Sequence, residues 1–422
     1  MKPWLAVAVA LVAVALLSAG EALAQGRGDP VFRRFPFEQW KTEGNVTQIK
    51  WQFRIPGAVL SPHQRLVQRF EALVEAPEVE KRRDHGQLVF LLEIEDSAGR
   101  KYRTRELADL RQIPADLKAK GVSWAQDAFV VPGTYKVSLA LADAKTREHN
   151  FVSREVKVNG PRADPFPQAS KELPGVEFVR LYAQPDSWFQ PSMRGAVALP
   201  VVSKRPVHID IVMNMTLSER AQGSLRAFRR NMSLLIPCLR VLAGMKPEQG
   251  SMDVTVLDLA HKKKWEQAGA RGLNWEKMRE AFATTNPGII DVQSLAGKAA
   301  MQQFFWDSVL DRVKPEERKG EEPLRVVIVL SSPVFLERQY KVEPASFPKD
   351  PNRRVYYMQY RPIPPRPMMV RPDEGPMPAA MALPSDDLEH TLKLLDAKVF
   401  PIISPEQFRK ALAAILADIE RM

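Results

Sequence analysis

Two folds in series are expected of this chain: an all-β sandwich, then an α/β domain on a doubly wound parallel sheet. Residues 46–158 hold short runs in which apolar and polar side chains alternate, the period of antiparallel strands with one face buried. From about residue 206 onward, continuous apolar runs of strand length alternate with longer stretches of helical period. That order builds a parallel sheet covered on both faces. Between the two lies a stretch punctuated by Pro174, Pro185, Pro191 and Pro200, with no long periodic run.

The first segment reads as an address rather than as structure. Met1-Lys2-Pro3-Trp4 precedes an apolar run from Leu5 to Leu17, shorter than the roughly 20 residues that cross a bilayer. With Ala22-Leu23-Ala24 behind it, residues 1–24 fit a secretory signal peptide cleaved after Ala24. The expected location is extracytoplasmic, periplasmic or secreted, and membrane attachment follows only if cleavage fails. Cys238 is the single cysteine of the chain, so export brings no intramolecular disulfide. Inside an apolar helical pattern it reads as a buried, inert thiol. The formal net charge of +11 favours contact with an anionic surface or polysaccharide. Nucleic acid is not an expected partner, because no aromatic-basic recognition motif accompanies the charge.

Residues 25–44 carry Arg27, Arg33, Arg34 and Lys41 around Pro30 and Pro36, and read as an exposed basic leader. The sandwich is expected over residues 45–160. Its strands are Ile49–Ile55, which alternates, Leu88–Ile94, which is denser, a run from Phe129 to Asp143 turned at Pro132-Gly133, and Phe151–Val158. Tyr135, Val137, Leu139 and Leu141 share one face. The Pro-Gly-x-Tyr-x-Val-x-Leu pattern from Pro132 to Leu139 resembles the penultimate strand of immunoglobulin-like sandwiches, where a tyrosine corner closes one end.

Residues 161–205 read as a semi-rigid, proline-rich linker and residues 206–422 as the α/β domain. Val207–Met213 is its opening strand, apolar enough to be buried on both faces. A helix follows, signalled by Leu225, Phe228, Met232, Leu235, Leu239 and Leu242, with Ser218 placed as its N-cap and Pro237 near its end. Met252–Leu259 is a second strand, Trp275–Ala283 a short helix and Ser294–Val313 a longer one. Leu324–Leu330 is the most strand-like run, Ala397–Ile403 the last strand, and Ser404 caps a closing helix. A proline- and methionine-rich insertion at about 340–388 interrupts the alternation and reads as extended chain, a lid or partner-binding arm near the strand ends.

Open α/β sheets bind ligands at the C-terminal ends of their strands. That edge offers Asn214, Thr216 and Ser218 after the first strand, Thr285 in the loop before the long helix, and Ser331-Ser332 after the Leu324–Leu330 run. In this order the segment resembles the von Willebrand factor A domain, whose metal-ion-dependent adhesion site combines Asp-x-Ser-x-Ser, a threonine on a second loop and an aspartate in Thr-Asp-Gly. Here the positions read Asn214-Met215-Thr216-Leu217-Ser218, Thr285 and Ser331-Ser332-Pro333. With a signal peptide and an N-terminal immunoglobulin-like sandwich, the whole is similar to exported bacterial proteins grouped as VWFA-related.

Both acidic positions of the family motif are neutral here. A small hard cation is normally held through one or two carboxylates, so no metal is expected at this turn, and no cofactor. Asp291 is the nearby carboxylate that could substitute. What remains is a hydroxyl- and amide-rich rim at a helix N-terminus, suited to a carboxylate or another anion. In purely local terms Ser218 is a cap, Asn214 a turn residue and Ser331-Ser332 a strand exit.

His208 and Asp210 share a face of the opening strand at its far end, where a buried hydrogen-bonded pair is expected. No Gly-x-Ser-x-Gly elbow, His-Glu-x-x-His helix, Cys-x-x-Cys pair or phosphate-cradling glycine loop is present. The expectation is an exported, non-enzymatic interaction or adhesion-type module that recruits a protein partner at the sheet's C-terminal edge. Two other classes stay open: a hydrolase or transferase with a site between the domains, and a polyanion-binding envelope protein.

Overall fold

The computed structural model describes residues 30–113, 121–179, 195–217, 224–283, 298–313, 323–335, 350–361 and 386–422. Among these the chain is β-rich, with four sheets and several helices. The N-terminal half runs α1 (Pro30–Arg34), α2 (Phe37–Glu43), β1 (Val46–Thr47), β2 (Trp51–Arg54), β3 (Val59–Leu60), β4 (Leu66–Val74) and α3 (Ala76–Lys81). It continues with β5 (Gln87–Asp96), β6 (Lys101–Asp109), β7 (Val122–Val130), β8 (Gly133–Asp143), β9 (His149–Val158) and β10 (Val176–Phe178). Two antiparallel sheets result, ordered β1-β9-β8-β5-β6 and β10-β7-β4-β2, with β3 also on β4.

Alternation in the strands puts their inward residues into one shared core. Phe70, Ala72 and Val74 of β4 meet Leu88, Phe90 and Leu92 of β5 and Val137, Leu139 and Leu141 of β8. Phe90 stacks on Trp124 of the opposite sheet at 5.2 Å between ring centroids. Pro132-Gly133 carries the chain from one sheet to the other, since β7 and β8 do not pair. Tyr135 ties this corner: its hydroxyl donates to the Val131 carbonyl at 2.7 Å, and burial pushes its pKa up to about 12.

The supposed basic leader is, from Pro30 onward, part of the fold. Val31, Phe32, Phe35, Phe37 and Trp40 are buried against Val89, Leu91, Ala140, Ala142 and Phe151, the outward face of the first sheet. That face is apolar and needs a cover. The basic residues lie on the helices' outer side, and Lys41 reaches Glu93 at 2.6 Å and Glu95 at 3.1 Å.

The supposed linker is likewise built in. Val176–Phe178 forms β10 of the sandwich, and β11 (Leu199–Val201) pairs in parallel with β13 (Met245–Pro247). Asp164 accepts two hydrogen bonds from Arg409, at 2.7 and 2.8 Å. Its proline content misled because Pro200 sits in a short, two-stranded sheet that tolerates a missing donor.

The C-terminal half comprises β12 (Val207–Asn214), α4 (Leu225–Leu242), β13, β14 (Gly250–Asp258), β15 (Lys263–Gln267), α5 (Trp275–Ala281), α6 (Lys298–Val313), β16 (Leu324–Ser331), β17 (Arg353–Tyr360), α7 (Asp387–Lys393), β18 (Lys398–Ile402) and α8 (Pro405–Arg421). One six-stranded sheet is ordered β15-β14-β12-β16-β17-β18, parallel except for the antiparallel edge strand β15. Helices cover both faces. Side chains of α4, α5 and α8 pack with Ile209, Ile211 and Met213, while α6 and α7 pack with Val212, Val327 and Val329. Alternate residues of the same strands thus feed two cores, with polar side chains such as His208, Asp210 and Asp253 gathered toward the N-terminal ends of β12 and β14.

Two local expectations change. The N-cap of α4 is Ser224, whose hydroxyl accepts from the Ala227 amide, and Ser218 lies outside the described residues. As expected, that helix carries Pro237 inside it and closes at Leu242. Within the span read as an insertion, residues 353–360 form β17, buried between β16 and β18. Of the rest of that span, residues 340–349 and 362–385 lie outside the described residues.

The halves meet at a seam. Gln64 donates to the Pro405 carbonyl at 3.0 Å, and Cys238 Sγ lies 4.0 Å from the Pro62 carbonyl. Burial pushes the Cys238 thiol well up, so it is inert as a nucleophile.

Candidate functional site

Strands β12 and β16 are neighbours in parallel register, Met213 opposite Leu330, so their next residues, Asn214 and Ser331, come level at the C-terminal edge. Asn214 Nδ2 donates to Ser331 Oγ at 2.9 Å. Its Oδ1 accepts from the Thr216 amide at 3.0 Å, which closes the turn after the strand. Thr216 Oγ1 accepts from the Leu259 amide at 2.7 Å and pins the end of β14. Ser331 Oγ donates to the Ser332 carbonyl at 2.6 Å, and Ser332 Oγ donates to Asn231 of α4.

Four of the six expected site residues are therefore together: Asn214, Thr216, Ser331 and Ser332. Ser218 and Thr285 lie outside the described residues, as does Asp291. The arrangement differs from an open hydroxyl rim. Asn214 and Ser331 are wholly buried, and Thr216 and Ser332 are 6% and 8% exposed. The hydroxyls are spent on the side-chain amides of Asn214 and Asn231 and on the backbone, as buried polar groups must be.

Sequence reasoning missed Asp386, which lies behind this group. Its Oδ2 accepts from Tyr357 Oη at 2.5 Å and Gln359 Nε2 at 2.7 Å. Its Oδ1 accepts from the amides of Val334 at 2.9 Å and Leu388 at 3.1 Å. Burial holds its pKa above the ordinary carboxylate value, and the four donors act against that shift. Four donors fill the lone pairs of one carboxylate, so Asp386 works as a clamp between β17 and α7. An aspartate ahead of a helical pattern was its visible signal, as the N-cap that it is.

A second polar group lies toward the N-terminal ends of β12 and β14. The register sets His208 beside Ser251 and Asp210 beside Asp253. His208 Nε2 is 3.3 Å from Asp210 and 3.8 Å from Asp253, and its Nδ1 is 2.7 Å from Ser251 Oγ. Arg312 of α6 stands 3.6 Å from Asp210 and 3.8 Å from Asp253, while its other terminal nitrogen pairs with Glu266. The imidazole pKa is raised, chiefly by the Asp210 carboxylate. The expected His208–Asp210 pair is present but only half-buried, with the histidine side chain 26% exposed. Asp253 was not foreseen because it belongs to another strand. Only the register brings it in.

Ser251 also borders a cavity of about 840 Å³ where residues 195–198 cross the sheet edge. Glu172, Arg240, Lys246 and Arg271 supply its charged lining, and Trp275 an aromatic wall.

No family model matches the chain, and no curated protein does. Solved structures give faint likenesses. A Bordetella pertussis protein provisionally named ApaA is 16% identical, with 28% of this chain and 99% of that one covered and a TM-score of 0.17. The β-glucuronidase of Parabacteroides merdae is 9% identical, with 74% of this chain and 40% of that one covered and a TM-score of 0.19. At such TM-scores neither likeness carries an argument about fold or function.

Proposed function

We propose that this is an exported interaction protein, in which an immunoglobulin-like sandwich carries a von Willebrand A-like module that docks a protein partner at its C-terminal sheet edge without a resident Mg²⁺. The observation behind this is the Asn214–Ser331 hydrogen bond at 2.9 Å. It joins two neutral side chains at the strand ends where the resembled family sets carboxylates around an ion. The edge is thus held shut by protein contacts and is preorganised for a partner without metal, which lowers the ordering cost of docking.

A photo-crosslinking residue at Leu217, in extracytoplasmic extract from the producing cell, tests this. It should give one discrete protein adduct in the presence of EDTA, and the same residue at the exposed Val202 should give none. Loss of the adduct on adding EDTA, or its absence at Leu217, sinks the proposal. The cavity of about 840 Å³ favours one second reading, a small-molecule or hydrolytic site where residues 195–198 meet β13 and β14, because ligand pockets of that size form where elements meet.

A further inference from the structure

We infer that His208, Asp210 and Asp253 form a binding site for a divalent transition ion of the Zn²⁺ type, at the sheet end opposite the proposed docking edge. The three residues offer one nitrogen and two carboxylate oxygens, all within 4.8 Å of one another. Ligands about 2.0–2.1 Å from a tetrahedral ion stand roughly 3.3–3.5 Å apart. The observed His208 separations of 3.3 and 3.8 Å need only a few tenths of an ångström of closure. Imidazole with carboxylate is a donor set for Zn²⁺ and its neighbours rather than for Mg²⁺ or Ca²⁺, which take oxygen alone.

The groups behind the ligands point the same way. Metal-binding side chains are normally held by a second hydrogen bond that sets their orientation. Ser251 Oγ holds His208 Nδ1 at 2.7 Å and so turns Nε2 toward the carboxylates. The Gly269 amide donates to Asp253 Oδ1 at 2.9 Å and leaves Oδ2 on the histidine side. Asp210 supplies a further sign of a ligand. Its side chain is 3% exposed with Oδ2 facing His208 at 3.3 Å, and its Oδ1 receives no hydrogen bond, only the charge of the Arg312 guanidinium 3.6 Å away. A buried carboxylate oxygen without a donor is costly to keep, and a cation removes that cost. His208 and Asp253, 26% and 19% exposed, leave the site open to solvent on one side.

Arg312 is the competing cation. It stands near both carboxylates but hydrogen-bonds to Glu266 instead. An entering ion therefore displaces a neighbour at 3.6–3.8 Å rather than a bonded partner. Repulsion between charges of +1 and +2 some 5 Å apart, even at the dielectric constant of water, weakens binding about tenfold. This residue tunes the affinity without supplying a ligand.

The test is calorimetric titration of the EDTA-stripped, dialysed full chain with Zn²⁺, alongside Co²⁺ absorption. One ion per chain should bind, with intense visible Co²⁺ bands of four-coordinate geometry. His208→Ala and Asp253→Asn should each weaken binding at least about 100-fold and Ser251→Ala about tenfold, the range for ligand and supporting residues. Arg312→Met should tighten it about tenfold. Circular dichroism melts show that the variants are folded, and His208→Gln replaces His208→Ala if the latter is not. No Zn²⁺ binding by the unmodified chain, binding unchanged by His208→Ala or His208→Gln, or no tightening in Arg312→Met overturns the inference. Because the docking edge is tested with EDTA present, failure of either proposal leaves the other standing.

Discussion

Arg65 gives the sharpest test of how the seam is held. Its side chain is wholly buried, and Nη1 donates to Glu177 Oε2 at 2.6 Å and to the Gly195 carbonyl at 3.1 Å. The guanidinium lies 4.7 Å from the centre of the Phe129 ring. Removing one member of a buried ion pair strands the other and costs about 3–5 kcal/mol. Arg65 Nε and Nη2 have no acceptor, so the arginine carries an uncompensated desolvation cost of its own, and Arg65→Met belongs at the low end, near 3 kcal/mol. Glu177→Leu should cost a similar amount. The double variant removes both charges and leaves only the Gly195 amide and carbonyl without their partners, a loss of about 1–2 kcal/mol. Urea unfolding followed by tryptophan fluorescence measures all four proteins, and the coupling energy should exceed about 3 kcal/mol. Additive single effects, or single effects under about 1 kcal/mol, would refute the account of a buried pair.

Three further outcomes are expected. His63 sits at the seam with its pKa lowered to about 3 by burial and then by the Arg240 and Arg65 charges; the stability of its neutral form is present above the ordinary value of 6.5 and is lost as pH falls toward 3. His63→Gln should therefore gain on the unmodified protein by up to about 1.4 kcal/mol per pH unit between pH 6 and 4 in urea midpoints, and a pH-independent difference contradicts this. Asn214→Asp with Ser331→Asp sets two carboxylates face to face, so the melting temperature of that variant should rise with millimolar Mg²⁺ while the unmodified chain stays flat; a folded double variant indifferent to Mg²⁺ removes the placement of the site. A fragment of residues 30–179 should fold more stably than one of residues 45–160, because the shorter lacks the cover over Val89, Leu91 and Phe151 and the β10 edge; equal melting temperatures would falsify the roles given to α1, α2 and β10.

What could be read in advance was what local pattern encodes. The runs Val207–Met213 and Leu324–Leu330 are apolar except at His208, Asp210 and Arg325 near their starts, the pattern of strands buried on both faces, and they form the centre of the sheet. The meeting of Asn214 with Ser331 followed, since each ends one of these strands and parallel neighbours finish together. Their burial did not follow, because it depends on Asn231, Leu259 and Tyr357, which come from other elements. Strand β17 was hidden for a different reason. Val355, Tyr356, Tyr357 and Tyr360 are aromatic or branched, but arginines precede them and prolines follow. The tyrosine hydroxyls look like surface groups until Asp418 and Asp386 accept from Tyr356 and Tyr357. Charge misled at residues 30–43, where arginines and lysine alternate with aromatic residues that the sheet needed as cover. Asp253 was beyond reach because strand pairing is not local.

Helices α1 and α2 also set a leash. They seat Val31 and Phe32 against the outward face of the first sheet, so twelve residues, 18–29, separate this cover from the apolar run Leu5–Leu17. Twelve residues reach at most about 43 Å when fully drawn out. A chain that kept this run in a bilayer would therefore stay within that reach of the lipid headgroups, with the exposed Arg33 and Arg34 near the tether. A chain cut after Ala24 would diffuse freely and carry the same cationic stub into whatever it meets. On the expectation of a cleavable segment, that one bond would decide whether the protein acts along a surface or through a volume.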